Sequence, residues 1–274
     1  MESIEGQFPY PWHQHCKILH LVRHGQALHN VEGDKNPEAL LSPNLFDAQL
    51  TPLGLKQVAK LRNEVHASGL FNRIELVVTS PLSRAMETAS GCFGREGENA
   101  VSSSTPKITA VELCRDRLGV RPSDMRRKMS DCRSRFPWID FSMASVDVED
   151  DNLWNPELRE SEEELAKRVT KLLNWVWKRP EKEIVIVSHG LVLQHILINL
   201  LANSDFNPTL TPALCKRFDN CELRSVVILD TSKIGRERWA WLCSDDKAKD
   251  VLKQCGHHSI DVATYIYLKS SLVA

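Results

Sequence analysis

Short apolar runs rich in β-branched residues alternate along this chain with segments of helical periodicity. Only a few fold classes are compatible with this order of elements. Each run has five to seven residues, so it is long enough for a buried strand and too short for a helix. The runs cover residues 17–22, 73–79, 107–111, 183–187 and 223–229. Strands that alternate with helices predict an α/β fold: a three-layer α/β/α sandwich with a mostly parallel central sheet.

Two of the intervening helices carry capping signals. Thr51 can cap a helix that has Pro52 in its first turn. Ser161 and Glu164 form a capping box in front of an apolar helical stripe. The other two predicted helices open near Ser80 and Gly190.

The pattern contains no repeat and no clear linker, so we expect a single domain over residues 1–274. Its core spans about residues 17–230, and inserted loops cover 91–106 and 137–160. Residues 231–274 form a C-terminal extension in which the pattern weakens.

Two connecting segments carry further expectations. Residues 31–49 are polar and contain proline, which predicts a loop. The segment 137–160 is acidic, and its carboxylates are expected to form a solvated patch. These are Asp147, Glu149, Asp150 and Asp151.

Charge and composition exclude several classes of protein. The 35 lysine and arginine residues balance 36 aspartate and glutamate residues, which argues against a nucleic-acid partner or an anionic membrane surface. The longest apolar stretch, 190–202, is too short and too polar to span a bilayer. Residues 1–11 do not resemble a secretory signal, and the eight cysteines form no Cys-x-x-Cys pair. We therefore expect reduced thiols and a cytoplasmic location.

The residues that follow the predicted strands share a chemical character. In parallel sheets a ligand binds at the carboxyl ends of the strands. Taken singly, a histidine or arginine there is usually structural, but several converge on one edge. Clustered arginines repel each other and need an anion, and guanidinium groups match phosphate oxygens. The sequence thus predicts an anion-binding catalytic site built from Arg23, His24, Ser80, Arg84, Glu112, Asp116, His189 and Gly190.

Four motifs then occur in a recognisable order. They are Leu21-Val-Arg-His-Gly25 with Asn30, Leu50-Thr-Pro-Leu-Gly54, Ser80-Pro-Leu-Ser-Arg84 with Thr88-Ala89, and Ser188-His-Gly190. The set resembles the histidine phosphatase superfamily, which includes phosphatases and phosphoglycerate mutases. The stretch 112–119, with Asp124 and Arg126-Arg127, is most similar to the plant phosphoglycerate-mutase-like branch.

The resemblance implies a role for each matched residue. His24 would be the nucleophile that takes the phosphoryl group, because neutral imidazole is available near its ordinary pKa. The phosphoryl oxygens would be surrounded by Arg23, Arg84 and His189. Gly25 would let the backbone pass close to the phosphate. The substrate-binding set is completed by Gln26, Asn30, Ser80 and Gly190.

The proton donor has two candidates. The family places Leu-x-Glu shortly before a glycine, and by register Asp116 occupies that place, although the loop to Gly119 is one residue short. Glu112 lies four positions earlier. Aspartate is one methylene shorter, which matters when a proton moves across about 3 Å. We favour Glu112 and keep Asp116 as the alternative.

Three functions are open at this point. The preferred one is metal-independent hydrolysis of a small phosphomonoester, of the sugar- or glycerate-phosphate type, through a phosphohistidine. The alternatives are a phosphoglycerate mutase and a non-catalytic phosphate-recognising or scaffold protein. The mutases typically continue their first motif with Ser-x-Trp-Asn, whereas this chain has Ala27-Leu-His-Asn30.

Two further groups of residues bear on that choice. The basic residues at 126–128 are the only candidates for binding a second acidic group of the substrate, as a mutase requires. Basic residues in such a run more often form a solvated surface. Histidine and cysteine also lie close together near 13–16 and 255–258, without the spacing of a zinc site. We therefore expect no metal and no cofactor.

Overall fold

The computed structural model describes residues 16–94, 105–144, 149–202, 215–230 and 265–268. These residues contain a six-stranded sheet. Its strands are β1 (Cys16–Arg23), β2 (Leu76–Thr79), β3 (Lys107–Ala110), β4 (Glu183–Ser188), β5 (Leu223–Asp230) and β6 (Tyr265–Leu268). The first five correspond to the five predicted runs.

The strands lie in the order β3-β2-β4-β1-β5-β6. β1 pairs in parallel with β4, and β2 pairs in parallel with both β3 and β4. β5 runs antiparallel to β1, and β6 is parallel to β5. The mostly parallel sheet is confirmed, and β6 adds an edge strand from the C-terminal extension.

The helices are α1 (Leu28–Lys35), α2 (Pro52–Ala67), α3 (Ser83–Phe93), α4 (Met129–Arg135), α5 (Glu162–Trp177) and α6 (Gly190–Ala202). All four predicted helices are present, as α2, α3, α5 and α6. Thr51 caps α2 by accepting a hydrogen bond from the Gly54 N–H at 3.0 Å. Ser161 and Glu164 form the predicted capping box of α5.

Alternate residues of each strand face opposite layers of helices. Ile184 and Ile186 pack in a core cluster with residues of α5 and α6. Val185 and Val187 pack in a second cluster with residues of α2, α3 and α4. This period of two places one apolar core on each side of the sheet, so the α/β/α sandwich is confirmed.

The predicted loop at 31–49 is wrong. The helix α1 extends to Lys35, and two 3-10 turns follow at Pro37–Leu41 and Pro43–Leu45. Asn36 and Ser42 cap these turns, each directly before a proline. Turns this short lack an apolar period, so only their capping residues could have revealed them.

The inserted segment 137–160 is only partly solvated. The side chain of Asp151, expected on the surface, is buried and accepts hydrogen bonds from the Arg115 Nη1 and Nη2 atoms at 2.7 Å and 2.5 Å. Asp150 is exposed as expected, and Asp147 lies outside the described residues. The Asp151–Arg115 pair anchors this segment beneath the residues that follow β3.

Two further observations concern only the described part of the chain. Six cysteines of the described residues are free thiols. In the described ranges no helix is long and apolar enough to cross a membrane. The cytoplasmic location and the single-domain organisation stay predictions, and most of the 91–106 loop lies outside the described residues.

Candidate active site

A cavity of about 400 Å³ opens where β1 and β4 end. Five predicted site residues line it, whereas Arg84, Ser80 and His189 are fully buried close behind its wall. The lining five are Arg23, His24, Asn30, Asp116 and Gly190. The strand ends therefore meet as the parallel sheet requires.

His24 directly follows β1 and is 1% exposed. Its Nδ1 lies 2.7 Å from the Gly25 carbonyl oxygen, which can only accept, so Nδ1 carries the proton. Nε2 is then left with a lone pair. Burial lowers the pKa of His24 well below its usual value of 6.5, and the charges of Arg84 and Arg23 lower it further. The ring is held neutral in the tautomer that can act as a nucleophile through Nε2.

This environment predicts the titration of the His24 ring. In two-dimensional ¹H–¹⁵N spectra of histidine-labelled protein, we expect the His24 signals to keep the neutral Nδ1–H pattern as the pH falls past 6.5. Loss of these signals in His24→Gln assigns them. A titration midpoint at or above pH 6.5 would contradict the burial argument.

Two arginines lie beside His24 with part of their hydrogen-bonding capacity unused. Arg23 Nη1 donates to the Phe218 carbonyl at 2.7 Å, and Arg84 Nη1 donates to the Ser123 carbonyl at 2.5 Å. Among the described residues, the buried Nε atoms of Arg23 and Arg84 have no acceptor. Burial and the neighbouring Arg217 lower the pKa of Arg23. Orphaned buried donors of this kind indicate an anion as the missing partner.

His189 lies next to His24, with ring centroids 5.1 Å apart. Its Nε2 is 2.8 Å from Ser80 Oγ, and its Nδ1 is 3.5 Å from Asp116 Oδ2. Nδ1 has no hydrogen-bond partner among the described residues. Burial lowers the pKa of His189 well below its usual value, against the pull of Asp116. If the Ser80 hydroxyl donates to Nε2, Nδ1–H remains free for a ligand oxygen.

The structure separates the two candidate proton donors. Asp116 lines the cavity, and its Oδ2 accepts from Arg84 Nη2 at 3.2 Å. Glu112 is not part of the lining. Its two carboxylate oxygens accept from Arg126 Nε at 2.9 Å and from Arg115 Nη1 at 3.3 Å. Asp116 therefore lies in the cavity, next to Arg84 and His189. Glu112 instead forms ion pairs with Arg115 and Arg126 outside the cavity lining.

The charge of Asp116 depends on its neighbours. Burial raises the pKa of Asp116, but the positive charge of Arg84 and the hydrogen bond from the Arg117 backbone N–H, with other neighbours, together lower it more strongly, so the carboxyl group is held well below its usual pKa. It is ionised in the free protein. A ligand that offsets the charge of Arg84 would reverse much of this effect.

The residues after His24 serve the local fold more than the cavity. A Cβ atom on Gly25 would lie 2.9 Å from the Gly54 carbonyl oxygen, so the glycine is required by the contact with α2. Gln26 is not among the lining residues, and its Oε1 accepts from the Thr51 hydroxyl at 2.8 Å. Asn30 does line the cavity, where its Nδ2 donates to His29 Nε2 at 3.1 Å.

Sequence reasoning missed several residues of the cavity wall. His29, the second residue of α1, lies 5.6 Å from His24 between ring centroids. The sequence indicated His29 only through the difference between Ala27-Leu-His-Asn30 and the Ser-x-Trp-Asn motif of the mutases. The other missed residues come from separate segments, which no local motif connects. They are Gly33, Asp34, Leu40, Arg121, Asp124, Arg159, Leu191, Gln194 and Arg217.

The basic trio at 126–128 is used elsewhere. Arg126 pairs with Glu112, and Arg127 Nε donates to Asp47 Oδ2 at 2.9 Å. Neither arginine lines the cavity. Nor do the described residues hold a group of three His, Cys, Asp or Glu side chains that could bind a metal ion.

Comparison with known proteins agrees with this geometry. A family model described as the histidine phosphatase superfamily (branch 1) matches residues 19–104 and 140–236. This chain belongs to the histidine phosphatase superfamily. The match includes the segments that supply Arg23, His24, Arg84 and His189.

Relatives in plants are similar over nearly the whole chain. Phosphoglycerate mutase-like protein 1 of Arabidopsis thaliana is 46% identical over 257 residues, which cover 86% of this chain and 89% of that protein. A second Arabidopsis thaliana phosphoglycerate mutase-like protein is 43% identical over 253 residues, which cover 85% of this chain and 92% of that protein.

Among solved structures, the ecdysone phosphate phosphatase of Bombix mori aligns with a TM-score of 0.49 at 16% identity, over 76% of this chain and 88% of that one. A likeness this weak indicates no substrate.

Proposed function

We propose that this protein hydrolyses a small phosphomonoester, of the sugar-phosphate or phosphoglycerate type, through a phosphohistidine at His24. One observation carries the proposal. A buried, neutral imidazole with a free lone pair lies close to two guanidinium groups whose Nε donors have no partner among the described residues. A phosphoryl group satisfies those donors and presents its phosphorus to the imidazole.

In the first step, His24 Nε2 attacks phosphorus while the bond to the leaving oxygen breaks. Arg23, Arg84 and the His189 Nδ1–H hold the equatorial oxygens, whose charge of about −1.5 to −2 matches two arginines and one neutral donor. Phosphoryl transfer depends mainly on positioning and neutralisation of charge. These side chains can supply both, so the proposed reaction needs no metal.

Asp116 gives the leaving alkoxide its proton. The carboxyl group is ionised in the free protein because Arg84 and the Arg117 backbone N–H hold its pKa down against burial. A bound phosphoryl dianion offsets Arg84, so the pKa of Asp116 rises and the site takes up a proton with the substrate. After the alcohol leaves, the carboxylate accepts a proton from the water that attacks the phosphohistidine. Phosphate departs, and His24 is restored.

A mutase is the second candidate, and one observation favours it. Arg121 and Arg217 line the cavity and form no ion pair within the described part of the chain. A mutase must retain a product that carries a second anionic group, and such cations could hold it. The non-catalytic alternative is weaker, because nucleophile, arginines and carboxylate all occur at one site.

Phosphate release from a panel of substrates tests the proposal. With sugar phosphates, phosphoglycerates and nucleotides, we expect free phosphate from one of the first two groups, at a rate unchanged by a chelator. Movement of the phosphoryl group between positions of phosphoglycerate without phosphate release would establish the mutase instead. A loss with chelator that zinc or magnesium restores would contradict metal independence.

A further inference from the structure

Asp124 is a buried carboxylate of the cavity wall that the proposed chemistry does not use. It ends the 3-10 turn Pro122–Asp124 and is 2% exposed. Its Oδ1 accepts from Arg84 Nη2 at 3.0 Å, and its Oδ2 accepts from Arg159 Nη1 at 2.8 Å. One side chain therefore joins the phosphate-binding arginine of α3 to the inserted segment that ends at residue 160.

The turn around Asp124 determines how Arg84 points. Arg84 Nη1 donates to the Ser123 carbonyl, while Nη2 is shared by Asp124 Oδ1 at 3.0 Å and Asp116 Oδ2 at 3.2 Å. Of the three nitrogens only Nε has no partner among the described residues. Without the Asp124 carboxylate, Nη2 would be free to turn fully onto Asp116.

Two carboxylates on one guanidinium nitrogen also affect each other's charge. Burial raises the pKa of Asp124, and the negative charge of Asp116 raises it further. The effect is mutual, so Asp124 makes Asp116 easier to protonate than a lone aspartate on Arg84 would be. Several titratable and polar groups face the pair: Arg84, Arg23, Arg159, His189, His29, His24, the Ser123 hydroxyl and the Arg117 backbone N–H.

We propose that Asp124 is a positioning residue of the reaction: it orients Arg84 toward the phosphoryl group and keeps Asp116 able to take up the proton that the leaving group needs. This inference rests on the proposed phosphatase function. In this proposal the ability of Asp116 to take up and donate a proton depends on Asp124 as well as on Asp116 itself.

The pH dependence of the first chemical step, measured in single turnovers as release of the alcohol, tests this role with an alkyl phosphate, whose leaving oxygen must be protonated. Activity falls as the pH rises through the pKa of Asp116 in the complex. Asp124→Asn removes a negative charge beside Asp116, so we expect this fall to move to lower pH by about one unit. With nitrophenyl phosphate, whose leaving group needs no proton, the profile should not move.

Asp150→Asn is the matched control, since Asp150 is exposed and pairs only loosely with Lys128 at 3.7 Å. Its profile should equal that of the wild type. An unmoved profile in Asp124→Asn, with the same loss of rate on both substrates, would show a structural role and overturn the proposal.

A second variant covers the case in which Asp124→Asn does not fold. Arg159→Gln removes the positive charge from the other oxygen of Asp124, so the fall in the rate of the first step should move to higher pH; no movement overturns the proposal. Wild-type protein that neither releases phosphate nor forms an adduct at His24 refutes the proposed function. Active wild type with unmoved variants refutes only the role of Asp124.

Discussion

His24→Ala is expected to abolish turnover of phosphomonoesters and the phosphoprotein adduct together. The variant removes the only atom, Nε2, that the buried tautomer offers to phosphorus. Loss of a covalent nucleophile in other enzymes costs on the order of 10⁶-fold in kcat, so activity should fall to the background. The cavity arginines stay, so the variant should still bind inorganic phosphate.

The adduct is measured with a labelled substrate, quenched in base because phosphohistidine is labile in acid. His195→Gln is the matched control, because this histidine of α6 does not line the cavity. It should retain both turnover and adduct. Undiminished turnover in correctly folded His24→Ala would remove His24 from the mechanism.

Replacement of Asp116 by asparagine should harm poor leaving groups selectively. General acid catalysis contributes roughly 10²–10⁴-fold, and nitrophenolate leaves without it. We expect Asp116→Asn to lose that factor in kcat/KM on sugar phosphates and far less on nitrophenyl phosphate. Glu112→Gln is the comparison variant: it also changes an acid to its amide, but at a position outside the cavity lining.

Glu112→Gln should leave the ratio of the two activities unchanged. It weakens the pairing of Arg115 and Arg126, so its cost is expected in thermal stability, and assays belong well below its unfolding temperature. A selective loss in Glu112→Gln would return the role of donor to Glu112. Equal losses of Asp116→Asn on both substrates would indicate that Asp116 binds rather than donates a proton.

The proposed nucleophile and the arginines beside it could be read from the sequence because each follows a strand or opens a helix. Arg23, His24 and His189 come directly at strand ends, and Arg84 lies one helical turn after the next strand. Because the strands are parallel, residues that follow their carboxyl ends meet at the same edge of the sheet, and the lengths of the loops do not change this. The α/β/α layers follow from the same apolar runs, since a strand buried on both faces needs helices on both sides.

The choice between Glu112 and Asp116 could not be made from the sequence. The two lie four positions apart, and the 3-10 turn Glu112–Cys114 decides which one faces the cavity. The same holds for Asp151, expected in solvent but buried against Arg115. A carboxylate is buried only where a cation from another segment pairs with it, and otherwise it stays in solvent. The local sequence does not show which distant residue that cation is.

By itself, then, the sequence determined five of the six strands, the family motifs and the edge of the sheet at which the candidate site residues meet, because these depend on local periodicity and on strand direction. Only the tertiary structure decided the protonation of His24, the pairing of Asp116 and Asp124 on Arg84, and the arginines of the cavity wall. Protonation depends on burial and on charges within a few ångströms. Those neighbours are supplied by segments far apart in the chain, such as the turn at Pro122–Asp124 and the residue Arg159.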